Sequence, residues 1–172
     1  AAIGMWSVVN KGLNKLAYIV INKDQSLAKP IIKLMKSTGN SHMFIDPVQA
    51  MSLAKDDTLL IIVDTHSQHF LESKEVFNLC KNIVVIDHHR MMVNHIRGAV
   101  VFYHEPNASS ASEMVTELVQ YLGENSLDNF EAEALLSGIM LDTKNFVLRT
   151  GVRTFEAAAF LRRKGADTIE VK

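Results

Sequence analysis
At 172 residues the chain fits a single domain and is long enough to bury a sizeable core. An apolar share of 48%, a charged share of 22% and a net charge of -1 are ordinary for a soluble globular fold, and no basic tract argues for capture of duplex nucleic acid. The single cysteine, Cys80, excludes an internal disulfide framework and a cysteine-based zinc site, and no apolar run reaches the roughly 20 residues that span a bilayer.

Elements follow in chain order. Leu16 to Ile21 is a short apolar, β-rich run and predicts a buried strand. Pro30 sits near the start of a helical stretch with Ile31, Ile32, Leu34 and Met35, closed by Gly39. His42 to Ile45 predicts a second strand, and Asp46-Pro47 the start of a helix that Asp caps and Pro opens. Leu59 to Val63 is a third strand, continuously apolar and so expected to be covered on both faces. A helix from about Phe70 to Leu79 carries Cys80 at its end as a packed core thiol. Ile83 to Ile86 is a fourth strand. Strand and helix alternation of this kind predicts an α/β fold, a mostly parallel sheet with helices on both faces.

The second half changes character. Gly98 to Tyr103 is one more strand, and a helical C-terminal part follows. Ser110 and Glu113 are spaced as a capping box ahead of Val115, Leu118, Val119 and Leu122, with Gly123 as a stop. Asp128 and Glu131 repeat the pattern before Ala134, Leu135, Ile139 and a turn at Asp142. Phe155, Ala158, Ala159 and Leu161 mark a last helix that ends near Gly165. No repeat or linker demands a second domain.

Two acidic groups come directly after apolar strands, in Ile62-Val63-Asp64-Thr65-His66 and Val85-Ile86-Asp87-His88-His89-Arg90. Residues just past the carboxyl ends of parallel strands line the ligand crevice, so Asp64, His66, Asp87, His88 and His89 are expected on one rim. Buried carboxylates need a pairing partner, and several Asp and His groups together make a cation the simplest one. Mixed carboxylate and imidazole donors suit manganese, iron or zinc better than calcium. Taken singly, Asp64 reads equally as a turn or cap residue, His88-His89 as a hydrogen-bonded loop, and Asp142 as an ordinary helix end. Together, three such explanations must hold at once.

The Asp64-Thr65-His66, Asp87-His88-His89 and Gly138-Ile139-Met140-Leu141-Asp142-Thr143 elements resemble, in order and spacing, motifs of the DHH phosphoesterases. That superfamily includes RecJ exonucleases, family II pyrophosphatases and cyclic dinucleotide phosphodiesterases. Val85 to Arg90, Pro106 to Glu113 and Asp142 to Phe146 look closest to the DHH domain of the GdpP-type cyclic di-AMP phosphodiesterases. The resemblance covers the whole chain, which it implies is a DHH catalytic domain shortened at its N-terminus. Family members begin with a strand ending in His-x-x-x-Asp-x-Asp, and Ala1-Ala2-Ile3-Gly4 is similar to the interior of the next helix. A C-terminal DHHA1 domain is expected beyond Lys172.

By this resemblance Asp64 is the carboxylate that bridges two metal ions, and His88 and Asp142 are further ligands. His89 faces the substrate phosphate, and Asp87 supports a neighbouring imidazole. His66 is expected to contact phosphate or water. Ser109, Ser110 and Ser112 open a helix that either attracts phosphate or is simply capped. Arg90, Arg149 and Arg153 are phosphate-clamp candidates, set against the solubility role of most exposed arginines. The implied activity is manganese-dependent hydrolysis of cyclic di-AMP to linear pApA, with two ions in the intact parent. Alternatives are another hydrolase of the superfamily, acting on pyrophosphate, oligonucleotides or pAp, and a metal-free nucleotide-binding module. The expected partner is a cyclic dinucleotide or short oligonucleotide, with dimerisation left open through unpaired strand edges. The expected setting is a cytoplasmic domain of a parent held at the cell membrane.

Overall fold
The computed structural model describes residues 1–22 and 40–168. The helix expected over Pro30 to Gly39 therefore lies outside the described residues. A short helix α1 (Ala2–Ser7) runs into a π-helical turn (Val8–Gly12), followed by β1 (Ile19–Val20). After a 3₁₀ turn (Asn40–Met43) come β2 (Phe44–Ile45), α2 (Pro47–Leu53) and β3 (Leu59–Val63). A second 3₁₀ turn (Gln68–Phe70), α3 (Lys74–Leu79), β4 (Asn82–Asp87) and β5 (Val101–His104) complete the strand-bearing part. The helical part holds α4 (Ala111–Leu122), α5 (Asn129–Asp142) and α6 (Val152–Arg163). Among the described residues, no helix is long and apolar enough to cross a membrane.

All strand pairs are parallel, as the alternation predicts. Among the described residues they form two sheets, β1-β2 and β3-β4-β5, where a single sheet was expected. β1 and β2 have only two residues each, so the runs Leu16–Ile21 and His42–Ile45 contribute far less ladder than their apolar length suggests. In the larger sheet the side chains alternate. Val84 and Ile86, with Ile61 and Val63, pack towards the helices. Ile83 and Val85, with Ile62, face Leu71, Phe77 and Ile96. Both faces of β3 thus find partners, but among the described residues it pairs through its main chain only with β4, and Leu59 is 52% exposed. The expected complete coverage fails at its first residue.

Helix boundaries follow the caps. Asp46 closes a full capping box with Gln49, and Pro47 occupies the first turn, as predicted. The helix expected from Phe70 starts only at Lys74, because Ser73 Oγ accepts the Val76 N–H at 3.2 Å while Phe70 ends a separate turn. Ser110 caps α4 by accepting Glu113 N–H at 2.9 Å, but the reciprocal half of that box is absent. The Glu113 carboxylate turns instead to the hydroxyls of Ser109 (2.5 Å) and Thr154 (2.7 Å), pinning the start of α4 to α6. Asp128 and Glu131 make the complete box, with Lys11 reaching Asp128 at 2.9 Å and Glu131 at 2.6 Å.

α5 is the central helix. Ala132, Leu135, Leu136 and Ile139 are fully buried against α1, α4 and α6, each larger side chain contributing about 1.5–3 kcal/mol. Two glycines permit the close approaches. A Cβ on Gly4 would lie 2.8 Å from Leu135 Cδ2, and one on Gly138 would lie 2.1 Å from Ser112 Oγ. Cys80 is buried beside Ile45, Ala50 and Val76, as expected, and burial pushes its thiol pKa up.

Candidate metal centre
The parallel register carries the two motif strands to one rim. Val63 pairs with Ile86, and Asp64 N–H continues the ladder to Ile86 O at 3.0 Å. Asp64 then turns with φ 66, the left-handed region that Asp and Asn tolerate better than most side chains. Asp87 ends β4, and His88 and His89 follow it. α5 arrives from the helical layer and stops at Asp142, where Lys144, Asn145 and Phe146 adopt φ values of 47, 57 and 65. Asn145 N–H closes the corner on Met140 O at 2.8 Å.

Residues 64, 88 and 142, distant in sequence, meet here. His88 Nε2 lies 3.4 Å from Asp64 Oδ1 and 3.7 Å from Asp142 Oδ2. Donor atoms of Asp64, His88 and His89 all lie within 4.8 Å of one another. Donors held about 2.0–2.2 Å from one ion sit about 3–3.5 Å apart, close to these separations.

The chemistry of the donor set fits a cation. His88 Nδ1 faces the Ala108 carbonyl at 3.3 Å; a carbonyl only accepts, so Nδ1 carries the proton. Nε2 of the neutral ring is then a lone pair, buried, without a hydrogen-bond partner, and aimed at two carboxylates. A proton or a metal ion at Nε2 would answer both carboxylates. Burial alone would lower the His88 pKa, but Asp64 and Asp142 outweigh it and raise it above the ordinary value of 6.5. Asp142 is displaced the other way: burial and the Asp64 charge push its carboxyl pKa up, against the pull of His88 and His89. It also stands at a helix C-terminus, the negative end of the backbone dipole. A divalent ion would relieve all three strains.

Behind this rim Asp87 is fully buried and collects four donors. Its Oδ1 accepts from His88 N (2.9 Å), His89 N (3.3 Å) and His89 Nδ1 (2.7 Å), and its Oδ2 from His66 Nδ1. Burial would raise its pKa, but the hydrogen bonds from His89 and His66 hold it below the usual carboxylate value. Asp87 therefore does not reach solvent; its bond to Nδ1 fixes the His89 ring. His66 is 1% exposed, and its Nε2 accepts Met92 N–H at 2.9 Å. With both nitrogens engaged it braces Asp87, and the expected phosphate or water contact does not match its position. Asp87→Asn would set an amide N–H against the His66 N–H, since Met92 locks the tautomer. It is expected to cost about 1–3 kcal/mol, read as a lower urea midpoint; an unchanged midpoint would show the network to be slack.

The remaining candidates divide. Ser110 is fully buried and spent on its cap, and Ser109 on Glu113, so neither hydroxyl is presented to a ligand. Ser112 Oγ accepts from Ala1 N at 3.1 Å, just ahead of α1. Arg153 forms a two-pronged ion pair with Glu117, 2.7 Å on each arm, and is committed to tying α6 to α4. Arg149 is exposed beyond the α5 corner, and Arg90 is exposed directly after His89. His104 was missed by sequence reasoning. It ends β5 opposite Asp87, donates Nε2–H to His89 O at 2.6 Å, and packs edge-on against His66 with ring centroids 5.5 Å apart. The strand-end rule that flagged Asp64 would have found it too, since it directly follows the strand read as ending at Tyr103.

Residues 1–139 match the DHH family, N-terminal domain. The chain is 46% identical over its whole length to the cyclic-di-AMP phosphodiesterase GdpP of Bacillus subtilis, and 46% identical over 74% of its length to the cyclic-di-AMP phosphodiesterase PdeA of Listeria monocytogenes. It spans only 27% and 20% of those relatives. In fold it is similar to an exopolyphosphatase-related protein of Bacteroides fragilis, with TM-score 0.75 and 17% identity over 98% of this chain and 49% of that one. The match over residues 1–139 and the identity over the whole length show it: the chain belongs to the DHH family.

Proposed function
We propose that this chain is the metal-bearing domain of a manganese-dependent phosphodiesterase that hydrolyses cyclic di-AMP to linear pApA, within a membrane-attached parent. The observation that supports it is the unpartnered Nε2 of His88 facing Asp64 and Asp142, in a chain 46% identical to a cyclic-di-AMP phosphodiesterase. Asp64, His88 and Asp142 would hold the metal, which supplies Lewis-acid polarisation of a phosphoryl group and a water of lowered pKa.

The protein's own groups set the geometry. Asp64, on its left-handed turn, directs its carboxylate across the rim towards His88. His89, half exposed, presents Nε2 to a substrate phosphate while Asp87 keeps its ring from rotating. His104 fixes the His89 carbonyl from behind. Arg90 adds positive charge beside the incoming anion.

A panel of cyclic di-AMP, pyrophosphate, linear oligoadenylate and pAp, offered to the intact protein with manganese, tests the substrate. Cleavage of cyclic di-AMP to pApA is expected; cleavage of pyrophosphate or pAp alone would overturn the assignment. The proton at His88 gives a second test. Metal needs the neutral ring, and this imidazole titrates above 6.5, so manganese affinity should fall as pH drops through that value, earlier than for an ordinary histidine. Calorimetry from pH 8 to pH 5.5 should show a loss approaching about tenfold per pH unit once the ring is protonated. A flat profile would remove His88 from the ligand set.

A further inference from the structure
The two loops that carry the metal-centre residues enclose a second concavity at their far ends. The loop after Asp64 and the loop after His89 are stitched by an antiparallel bridge between Ser67 and His95 and by Ile96 N–H on His66 O at 2.7 Å. Beside this stitch lies a cleft of about 290 Å³ lined by Gln68, His69, Lys74, Asn94, His95 and Arg97. Among the described residues no carboxylate lines it, although the chain as a whole carries a charge of -1. Among the described residues neither Lys74 nor Arg97 forms an ion pair.

The walls are held from below. Ser67 is fully buried and its Oγ accepts His69 N–H at 3.3 Å. Ile96, 1% exposed, is packed with Ile62, Ile83 and Val85. The His95 ring rests on Phe102 with centroids 6.0 Å apart, and its Nδ1–H donates to Met92 O at 3.2 Å. An ammonium, a guanidinium, two imidazoles and two carboxamides thus converge on one depression, with no carboxylate among the described residues that line it. Such a concavity focuses positive potential, and an oxyanion with several acceptor atoms answers both the charge and the donors.

We propose that this cleft is a second binding site, for a phosphate-type oxyanion, free or carried on a nucleotide, with Lys74 and Arg97 as its charge partners. Arg97 supplies the planar fork suited to two phosphate oxygens, Lys74 the point charge, and Gln68 and Asn94 the neutral donors. The site requires no metal and does not depend on the activity proposed above.

Calorimetry of the chain in EDTA separates the two sites. Sodium phosphate, AMP and adenosine are titrated at constant ionic strength into the wild type, Lys74→Gln/Arg97→Gln and Asp64→Asn. Phosphate and AMP should bind while adenosine does not, and the double substitution should weaken both by at least about tenfold. Asp64→Asn should leave them unchanged. Phosphate and AMP of similar affinity identify free oxyanion as the ligand; AMP at least about tenfold tighter identifies a nucleotide. All substituted residues are exposed, and circular dichroism melts verify that each variant is folded. Absence of phosphate and AMP binding by the wild type, binding equal in the double variant, or loss of binding in Asp64→Asn each overturns the proposal.

Discussion

Replacing Asp64 by Asn is expected to lower manganese-supported hydrolysis of cyclic di-AMP by the intact protein at least about 10³-fold, which corresponds to ~4 kcal/mol of transition-state stabilisation. The fold should be unaffected. Asn is the informative substitution because position 64 has φ 66, a conformation Asn adopts readily, whereas Ala would add roughly 1–2 kcal/mol of backbone strain. Asn keeps the size of the side chain and the ladder bond from Asp64 N–H to Ile86 O, and removes only the negative charge. That charge faces His88 Nε2 and helps to raise the Asp142 pKa, so its loss removes one of the two carboxylates that face the imidazole. Manganese binding should weaken in parallel. A variant that still turns over at a tenth of the wild-type rate would remove Asp64 from the centre, whatever its neighbours do.

Gly138→Ala should destabilise the protein by about 1–3 kcal/mol, a shift in melting temperature of roughly 2–12 °C for a chain of this size. The added Cβ would lie 2.1 Å from Ser112 Oγ and 2.9 Å from Ser112 Cβ. Rotating the hydroxyl away relieves the first clash but not the second, and Ser112 is 4% exposed with little room to move. α4 and α5 must then separate. That movement reaches the metal centre, since Ala108, just before α4, holds His88 Nδ1, and Asp142 is the last residue of α5. Manganese affinity should therefore fall together with the melting temperature. Ser112→Gly in the same chain should restore much of both, because it removes the two clashing atoms. Destabilisation that the second substitution leaves untouched would mean the helix contact is not the cause.

The sequence was most readable where one residue type has one local job. Asp46-Pro47, Ser110 and Asp128-Glu131 marked helix starts through short-range hydrogen bonds that need no tertiary information. Apolar runs ending in Asp64 and Asp87 located the rim, because a parallel ladder carries both strand ends to one side. What stayed hidden depends on long-range choices. His66 and Asp87 look alike on paper as polar groups after strands, but burial turned one into the brace of the other. Glu113 was free in sequence to complete its own cap or to bond Ser109 and Thr154, and the packing of α6 decided for the latter. Arg153 could have met a phosphate but found Glu117 one helix away. Two short strands cannot announce from composition whether they join their neighbours, and β1-β2 stands apart from β3-β4-β5.

The corner after Asp142 ties the acidic group to a distant support. Of three successive residues in the left-handed region, Lys144, Asn145 and Phe146, the first and last cost roughly 1–2 kcal/mol each and Asn145 less. Part of the compensation comes from Phe146, whose N–H reaches Thr143 Oγ1 at 2.9 Å and whose ring stacks on Phe155 of α6 at 5.7 Å. The aim of the Asp142 carboxylate is thus tied to the far end of a lever: loosening the Phe146–Phe155 pair is expected to let the corner relax and turn the carboxylate away from His88.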